Sequence, residues 1–187
     1  LPYLDMPLQH AHPETLKRMR RPANMDWVIA TLNKMRAALP GLALRTTFIV
    51  GYPGETESEF QALLDFIAEI RFDHIGAFTF SFESGTTSEP LGDPIPQEVK
   101  EERLERLMLL QQGSALAGNQ DFVGKTLPVV VEGFDQGLSI GRSYRDAPEI
   151  DGLVLIEDRA PVGEIVPVHI SGAMAHDLVG HLAVKTN

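Results

Sequence analysis

The residues best placed to do chemistry lie between Thr46 and Thr56, where the sequence reads TTFIVGYPGET. Phe48, Ile49 and Val50 form a continuous apolar run of the kind that suits a strand covered on both faces. Gly51 and Gly54 then bracket Pro53, so the chain must turn sharply there with its backbone bare. In α/β folds ligands sit outside the carboxyl ends of the strands, and a turn without side chains lets a ligand approach the backbone closely. A tight connection is the plainer role for such glycines, and a lone glycine turn by itself favours it. Glu55 follows with two readings, a hydrogen bond within the site or support for the amino terminus of the next helix through its macrodipole, and the second is preferred. Elsewhere Gln9 and His10 end a first apolar run, and Arg20 and Arg21 close a basic stretch that by itself reads as a solvated helix end. His74, His169, His176 and His181 show no metal-ligand spacing.

Around that turn the periodicities predict alternating strands and helices. Tyr3 to Leu8 reads as a strand interrupted by Pro7, and Pro13 stands where a first helical residue is favoured. Asn24 can cap a second helix whose Val28, Leu32, Met35 and Leu39 fall at helical spacing before Pro40-Gly41 stops it. Leu42 to Val50 is the central strand. Thr56 and Glu59, three apart before Phe60, Leu63, Leu64 and Ile67, predict a capping box and a helix from Glu57 to about Arg71. His74 to Phe82 reads as a third strand, with Phe78, Phe80 and Phe82 on an aromatic face. Gln97 to about Gly113 is the last helix, with Val99, Leu104, Leu107 and Met108 on its apolar side. Three repeats of strand then helix imply a parallel sheet.

Near Gly118 the composition changes to β-branched runs separated by glycine: Leu127 to Val131, Leu138 to Ile140, Leu153 to Ile156, Ile165 to Ile170, and a short run around Leu182 to Val184. Their spacing predicts a small antiparallel barrel and hence two domains, 1–118 and 119–187. The barrel segment carries five basic residues against ten acidic ones, and the whole chain has a formal net charge of -10. That sign works against non-specific nucleic-acid binding and favours a basic protein as partner. With 187 residues, 43% hydrophobic and 22% charged, the chain can bury a real core. No run approaches the roughly 20 apolar residues of a membrane-spanning helix, and no secretion signal opens the chain, so a cytoplasmic location is expected. The chain has no cysteine, which excludes disulfides and thiolate metal sites within it, and its opening in mid-strand at Leu1 suggests a fragment of something longer.

Five stretches, YLDMPLQHAHPETLKRMRRP, RTTFIVGYPGETESEF, FDHIGAFTFSFESGT, KEERLERLMLLQQ and GRSYRDAPEIDG, together resemble the methylthiotransferase branch of the radical S-adenosylmethionine enzymes. The likeness is to the branch type that modifies a ribosomal protein. It implies the carboxyl-terminal half of a partial (β/α) barrel followed by the small β-barrel called TRAM. It also implies S-adenosylmethionine as cofactor and, for a complete protein, two four-iron, four-sulfur clusters. By that resemblance Gln9 faces the cofactor ribose, and Arg21, or its neighbour Arg20, pairs with the methionyl carboxylate, a role that suits the planar fork of arginine. Thr47 falls where related enzymes carry an aspartate toward the ribose, and Ile49, Gly51 and Gly54 belong to the strand end that packs against the adenine. Phe78 to Ser81 can line the same pocket.

The implied reaction is reductive cleavage of S-adenosylmethionine, hydrogen abstraction from an unactivated carbon and insertion of a methylthio group, at the β-carbon of an aspartate in a small-subunit ribosomal protein. Cluster ligation requires thiolates, so this chain by itself is expected not to cleave the cofactor. The alternatives are a tRNA methylthiotransferase, whose barrel should be basic, and a non-catalytic ribosome-binding adaptor. The acidic barrel and the LQH and APEIDG stretches favour the ribosomal protein.

Overall fold

In the computed structural model, residues 1–183 are described, and the chain gathers into two compact units. One comprises Leu4–Gln111; the other comprises Leu1–Tyr3 together with the chain from Gln112 onward. Among the described residues no helix is long and apolar enough to cross a membrane.

The first unit is built on a three-stranded sheet in the order β1-β2-β3, with β1 at Tyr3–Asp5, β2 at Ala43–Val50 and β3 at His74–Thr79. β2 and β3 run parallel, with Thr47 beside Gly76 and Ile49 beside Phe78. The first strand is shorter than Tyr3 to Leu8 because Pro7 has no N–H for the ladder; the chain rejoins it at Gln9, which makes an isolated parallel bridge to Phe48. Four helices accompany the sheet: α1 Pro13–Arg18, α2 Met25–Ala38, α3 Glu57–Ile70 and α4 Gln97–Gln120. The side chain of Asn24 caps α2 through the Trp27 N–H. At α3 both halves of the capping box form between Thr56 and Glu59.

Leu44, Phe48 and Val50 of β2 point to a core that also holds Phe60, Leu63, Phe66 and Ile67 of α3, with Phe72 and Leu107. Each such side chain removed from water is worth about 1.5–3 kcal/mol. Phe48 meets Phe66 and Phe72 edge-on, with ring centroids 6.4 and 6.0 Å apart. Because strand side chains alternate, Arg45, Thr47 and Ile49 stand on the opposite face. The aromatic face expected for β3 does not form. The strand stops at Thr79, Ile75 and Ala77 pack on the core, Phe80 is buried, and Phe78 and Phe82 are exposed.

α4 continues to Gln120, seven residues beyond the expected stop at Gly113, and the division between the two units falls within it. In the second unit β4 Thr126–Asp135, β5 Leu138–Arg142, β6 Val154–Ile156, β7 Ile165–Ala173 and β8 Leu178–Leu182 close a barrel in the order β4-β5-β6-β8-β7. It is not wholly antiparallel, since β6 and β8 pair in parallel. Its interior is Leu127, Val129, Val131, Val154, Ile156, Val168, Ile170 and Leu178. The last expected run, around Leu182 to Val184, begins within β8, and Val184 lies outside the described residues. The GRSYRDAPEIDG stretch forms a buried polar knot in which Arg145 donates to Asn119 Oδ1 at 3.0 Å and lies over the Phe122 ring at 4.0 Å, while Ser143 bonds Asp146.

Candidate functional site

The candidate site lies at the carboxyl ends of β1 and β2, where several backbone positions are left-handed. Gln9 has φ 72, a left-handed conformation uncommon for a residue with a Cβ. It is held there because its N–H donates to Thr47 O at 2.8 Å and its carbonyl accepts from Ile49 N at 2.9 Å. Such conformations cost about 1–3 kcal/mol and persist where the surroundings over-determine them, typically at ligand sites. One residue past β2, Gly51 has φ 72, and Gly54 has φ 81, so both positions need glycine. A Cβ on Gly54 would meet the Arg18 guanidinium at 3.4 Å.

On the sheet face away from the core, Thr47 and Ile49 of β2 lie beside Gly76 and Phe78 of β3. Deeper on that face Arg45 pairs with Asp5 at 2.8 Å, and a Cβ on Gly76 would press on the same guanidinium at 3.2 Å. The structure therefore brings Gln9, Thr47, Ile49, Gly51 and Gly54 to one rim.

Arg21 lies beyond α1, which ends in a Schellman-type turn. Arg20 occupies the left-handed position with φ 55, and the Arg21 N–H returns to Leu16 O at 2.8 Å. Among the described residues no hydrogen bond or ion pair engages the side chain of Arg20 or Arg21, and both are exposed. The carboxyl end of α1 is tied to the glycine turn, since the Tyr52 hydroxyl donates to Arg18 O at 3.2 Å. Burial raises the Tyr52 phenol above its ordinary range, and the charges of Arg18 and Arg20 oppose that rise.

Arg18 grips Glu59 with two bonds, 2.7 and 3.1 Å, while Glu59 also accepts the Thr56 N–H at 2.8 Å. Burial works to raise the Glu59 carboxyl, but the Arg18 and Thr56 hydrogen bonds and the charges of Arg18 and His12 together hold it below its ordinary range. His12 caps α1, its Nδ1 accepting the Glu14 N–H at 3.3 Å.

Glu55 corrects the preferred sequence reading. It is 4% exposed, and instead of facing solvent at a helix start its carboxylate accepts the Gly51 N–H at 2.9 Å and Arg103 Nη1 at 2.9 Å. His10, wholly buried, stands with Nε2 at 3.5 Å from the same carboxylate. Lys100 and Arg103 were missed in the sequence because charges on a helix read as its solvent side; their spacing with Leu107 and Gln111, all four buried, was the available signal.

Residues 1–67 match the Radical SAM superfamily and residues 123–183 match the TRAM domain. A solved structure described as "Coproporphyrinogen III oxidase (HemN) from Escherichia coli is a Radical SAM enzyme" superposes with a TM-score of 0.53 at 20% identity, covering 61% of this chain and 27% of that one, which supports the fold. The class is therefore a radical SAM α/β sheet unit joined to a closed TRAM barrel.

Within that class the resemblance to the ribosomal-protein methylthiotransferases holds. The chain is 51% identical over 183 residues to the ribosomal protein uS12 methylthiotransferase RimO of Chloroflexus aurantiacus, covering 95% of this chain and 40% of that protein. It is also 51% identical over 183 residues to a RimO of Thermus thermophilus, and 47% identical over 184 residues to that of Mannheimia succiniciproducens. The chain spans about two-fifths of the length of these relatives.

Proposed function

We propose that this chain is the S-adenosylmethionine-positioning and substrate-docking part of a radical SAM methylthiotransferase acting on an aspartate β-carbon of a small-subunit ribosomal protein. The observation that carries the reading is identity of about half over nearly the whole chain to relatives bearing that name. In this reading the domain of residues 1–118 holds the cofactor, the barrel strands from Thr126 to Leu182 within the domain of residues 119–187 are accessory, and the protein works in the cytoplasm.

The residues present fit the cofactor. Bare backbone at Gly51 and Gly54, the apolar Ile49 and Phe78 on the uncovered sheet face, and the unpaired guanidinium groups of Arg20 and Arg21 suit a nucleoside joined to an amino-acid carboxylate. Gln9, held left-handed by two backbone bonds, would serve the ribose with Thr47 beside it on β2, and Arg21 or Arg20 would hold the carboxylate. When bound and reductively cleaved, S-adenosylmethionine supplies the radical chemistry, while protein groups bind and orient it. The iron–sulfur clusters do not fit this chain, because their ligation needs thiolates and the 187 residues include no cysteine.

The barrel segment, with ten acidic residues against five basic, docks the basic ribosomal protein by complementary charge. The deciding experiment expresses the complete reading frame anaerobically, reconstitutes its clusters and incubates it with S-adenosylmethionine, a reductant and either the ribosomal protein or tRNA. Mass spectrometry is expected to find the methylthio addition on a ribosomal-protein aspartate. Addition to tRNA instead would overturn the substrate assignment and leave the cofactor site standing.

A further inference from the structure

Helix α4 carries two buried cations one turn apart, Lys100 at 2% and Arg103 at 5% exposure. A buried ammonium or guanidinium is costly unless it is paired and hydrogen-bonded, so what each one contacts explains its place. Lys100 Nζ donates to the Phe80 carbonyl at 3.0 Å and to Asp93 at 2.6 Å. Phe80 itself donates its N–H to Val50 O at 2.8 Å, immediately before Gly51. The methylene stem of Lys100 fills the space a side chain at Gly51 would need, so a methyl group there would overlap its Cγ.

Arg103 reaches the same turn from the other side. Its Nη1 donates to Glu55 Oε1 at 2.9 Å and to the Glu55 carbonyl at 3.3 Å, while Glu55 Oε2 accepts the Gly51 N–H. His10 completes the set from the end of β1. Its Nδ1 accepts the His12 N–H at 2.9 Å, which assigns the proton of a neutral ring to Nε2, 3.5 Å from Glu55 Oε2. A helix that only covered the sheet would bury apolar side chains throughout, as α4 does at Leu107.

We infer that Lys100 and Arg103 are positioning residues for S-adenosylmethionine: through the Lys100 stem and the Glu55 carboxylate they clasp Gly51, so that α4 sets cofactor affinity by fixing the turn the cofactor meets. This rests on the proposed function above. Both cations converge on Gly51, by packing from Lys100 and by a relayed hydrogen bond from Arg103. Asp93 and the Phe80 carbonyl extend the clasp to the segment that follows β3.

The test uses the complete reading frame with reconstituted clusters and compares Glu55→Gln, Lys100→Ala and Lys100→Met, the last keeping most of the stem. Equilibrium dialysis measures S-adenosylmethionine affinity, hydrogen exchange with mass spectrometry measures protection of the peptide containing Gly51, and turnover at saturating cofactor measures kcat. Glu55→Gln puts an NH2 donor in place of one carboxylate oxygen, so either the Gly51 N–H or Arg103 is left facing a donor in a buried set, which predicts about tenfold weaker cofactor binding with faster exchange confined to the turn. kcat is expected to stay within about twofold, the split that marks lost binding and not lost chemistry. Lys100→Met is expected to keep more affinity than Lys100→Ala. Unchanged affinity and unchanged Gly51 exchange in Glu55→Gln and Lys100→Ala would overturn the inference. So would loss of protection across the whole sheet, which marks a role in folding alone. Failure of the unmutated enzyme to bind S-adenosylmethionine would overturn the proposed function, whereas binding by the unmutated enzyme with no change in the variants defeats the clasp alone.

Discussion

Glu59 joins two features that are usually separate, and replacing it should reveal both. Its Oε2 accepts the Thr56 N–H at 2.8 Å to complete the α3 cap, and its two oxygens take Arg18 at 2.7 and 3.1 Å. In Glu59→Ala the Thr56 hydroxyl still caps the backbone N–H of residue 59, and the lost return bond to the Thr56 N–H costs about 0.5–1 kcal/mol. The two charge-assisted bonds add about 1.5–3 kcal/mol, because the carboxylate is only 9% and the guanidinium 29% exposed, so solvent screens the pair weakly. Arg18 is then left with Thr15 Oγ1 at 3.1 Å as its remaining side-chain partner. The expected loss is about 2–4 kcal/mol, read by urea unfolding followed by circular dichroism, to which α1, α2 and α3 contribute.

The pH dependence has a definite sign. Although burial opposes it, the Arg18 and Thr56 hydrogen bonds lower the folded carboxyl below its reference value of 4.5. Protons therefore bind the unfolded chain more readily. The stabilisation is fully present above the unfolded value and disappears as pH falls through the lower folded value. The stability gap between the unmutated chain and Glu59→Gln should narrow below pH 4.5. A loss under about 0.5 kcal/mol at pH 7, the size of an exposed pair, with no narrowing in acid, would refute the reasoning.

Other consequences are open to direct measurement. Ile156→Ala, at a fully buried barrel position, should cost about 2–5 kcal/mol in urea unfolding. Glu132→Gln should cost under about 1 kcal/mol despite its two bonds to Arg142 at 2.7 and 2.9 Å, because its side chain is 39% exposed. Arg145→Ala strips the Asn119 and Phe122 contacts from a guanidinium site that is 4% exposed, and should cost about 2–4 kcal/mol by thermal unfolding. Association with the basic ribosomal protein should weaken steeply between low and physiological salt by titration calorimetry; a salt-independent affinity would remove the charge-docking idea.

Much of the molecule is legible one residue at a time. The capping box at Thr56 and Glu59, the Asn24 cap, the apolar stripe of α3 and the glycine turn after β2 were all readable because each rests on contacts within a few positions. Helix periodicity, capping and the left-handed preference of glycine are properties of neighbouring residues, so tertiary packing had little to add there. The run of short β-branched segments likewise announced a barrel, although its parallel β6–β8 closure depends on partners far apart in sequence.

Other features depended on long-range packing. The Phe78, Phe80, Phe82 alternation promised a shared face, but β3 ended first, because strand length is decided by the neighbouring strand and not by the alternation itself. Lys100 and Arg103 read as solvated charges because charged side chains on a helix usually are, and Glu55 read as support for the amino terminus of the next helix. Their burial came from contacts spanning 48 positions between Glu55 and Arg103 and 20 between Phe80 and Lys100. A desolvated charge is stable only beside its partner, and partners that distant in sequence meet only when the chain folds.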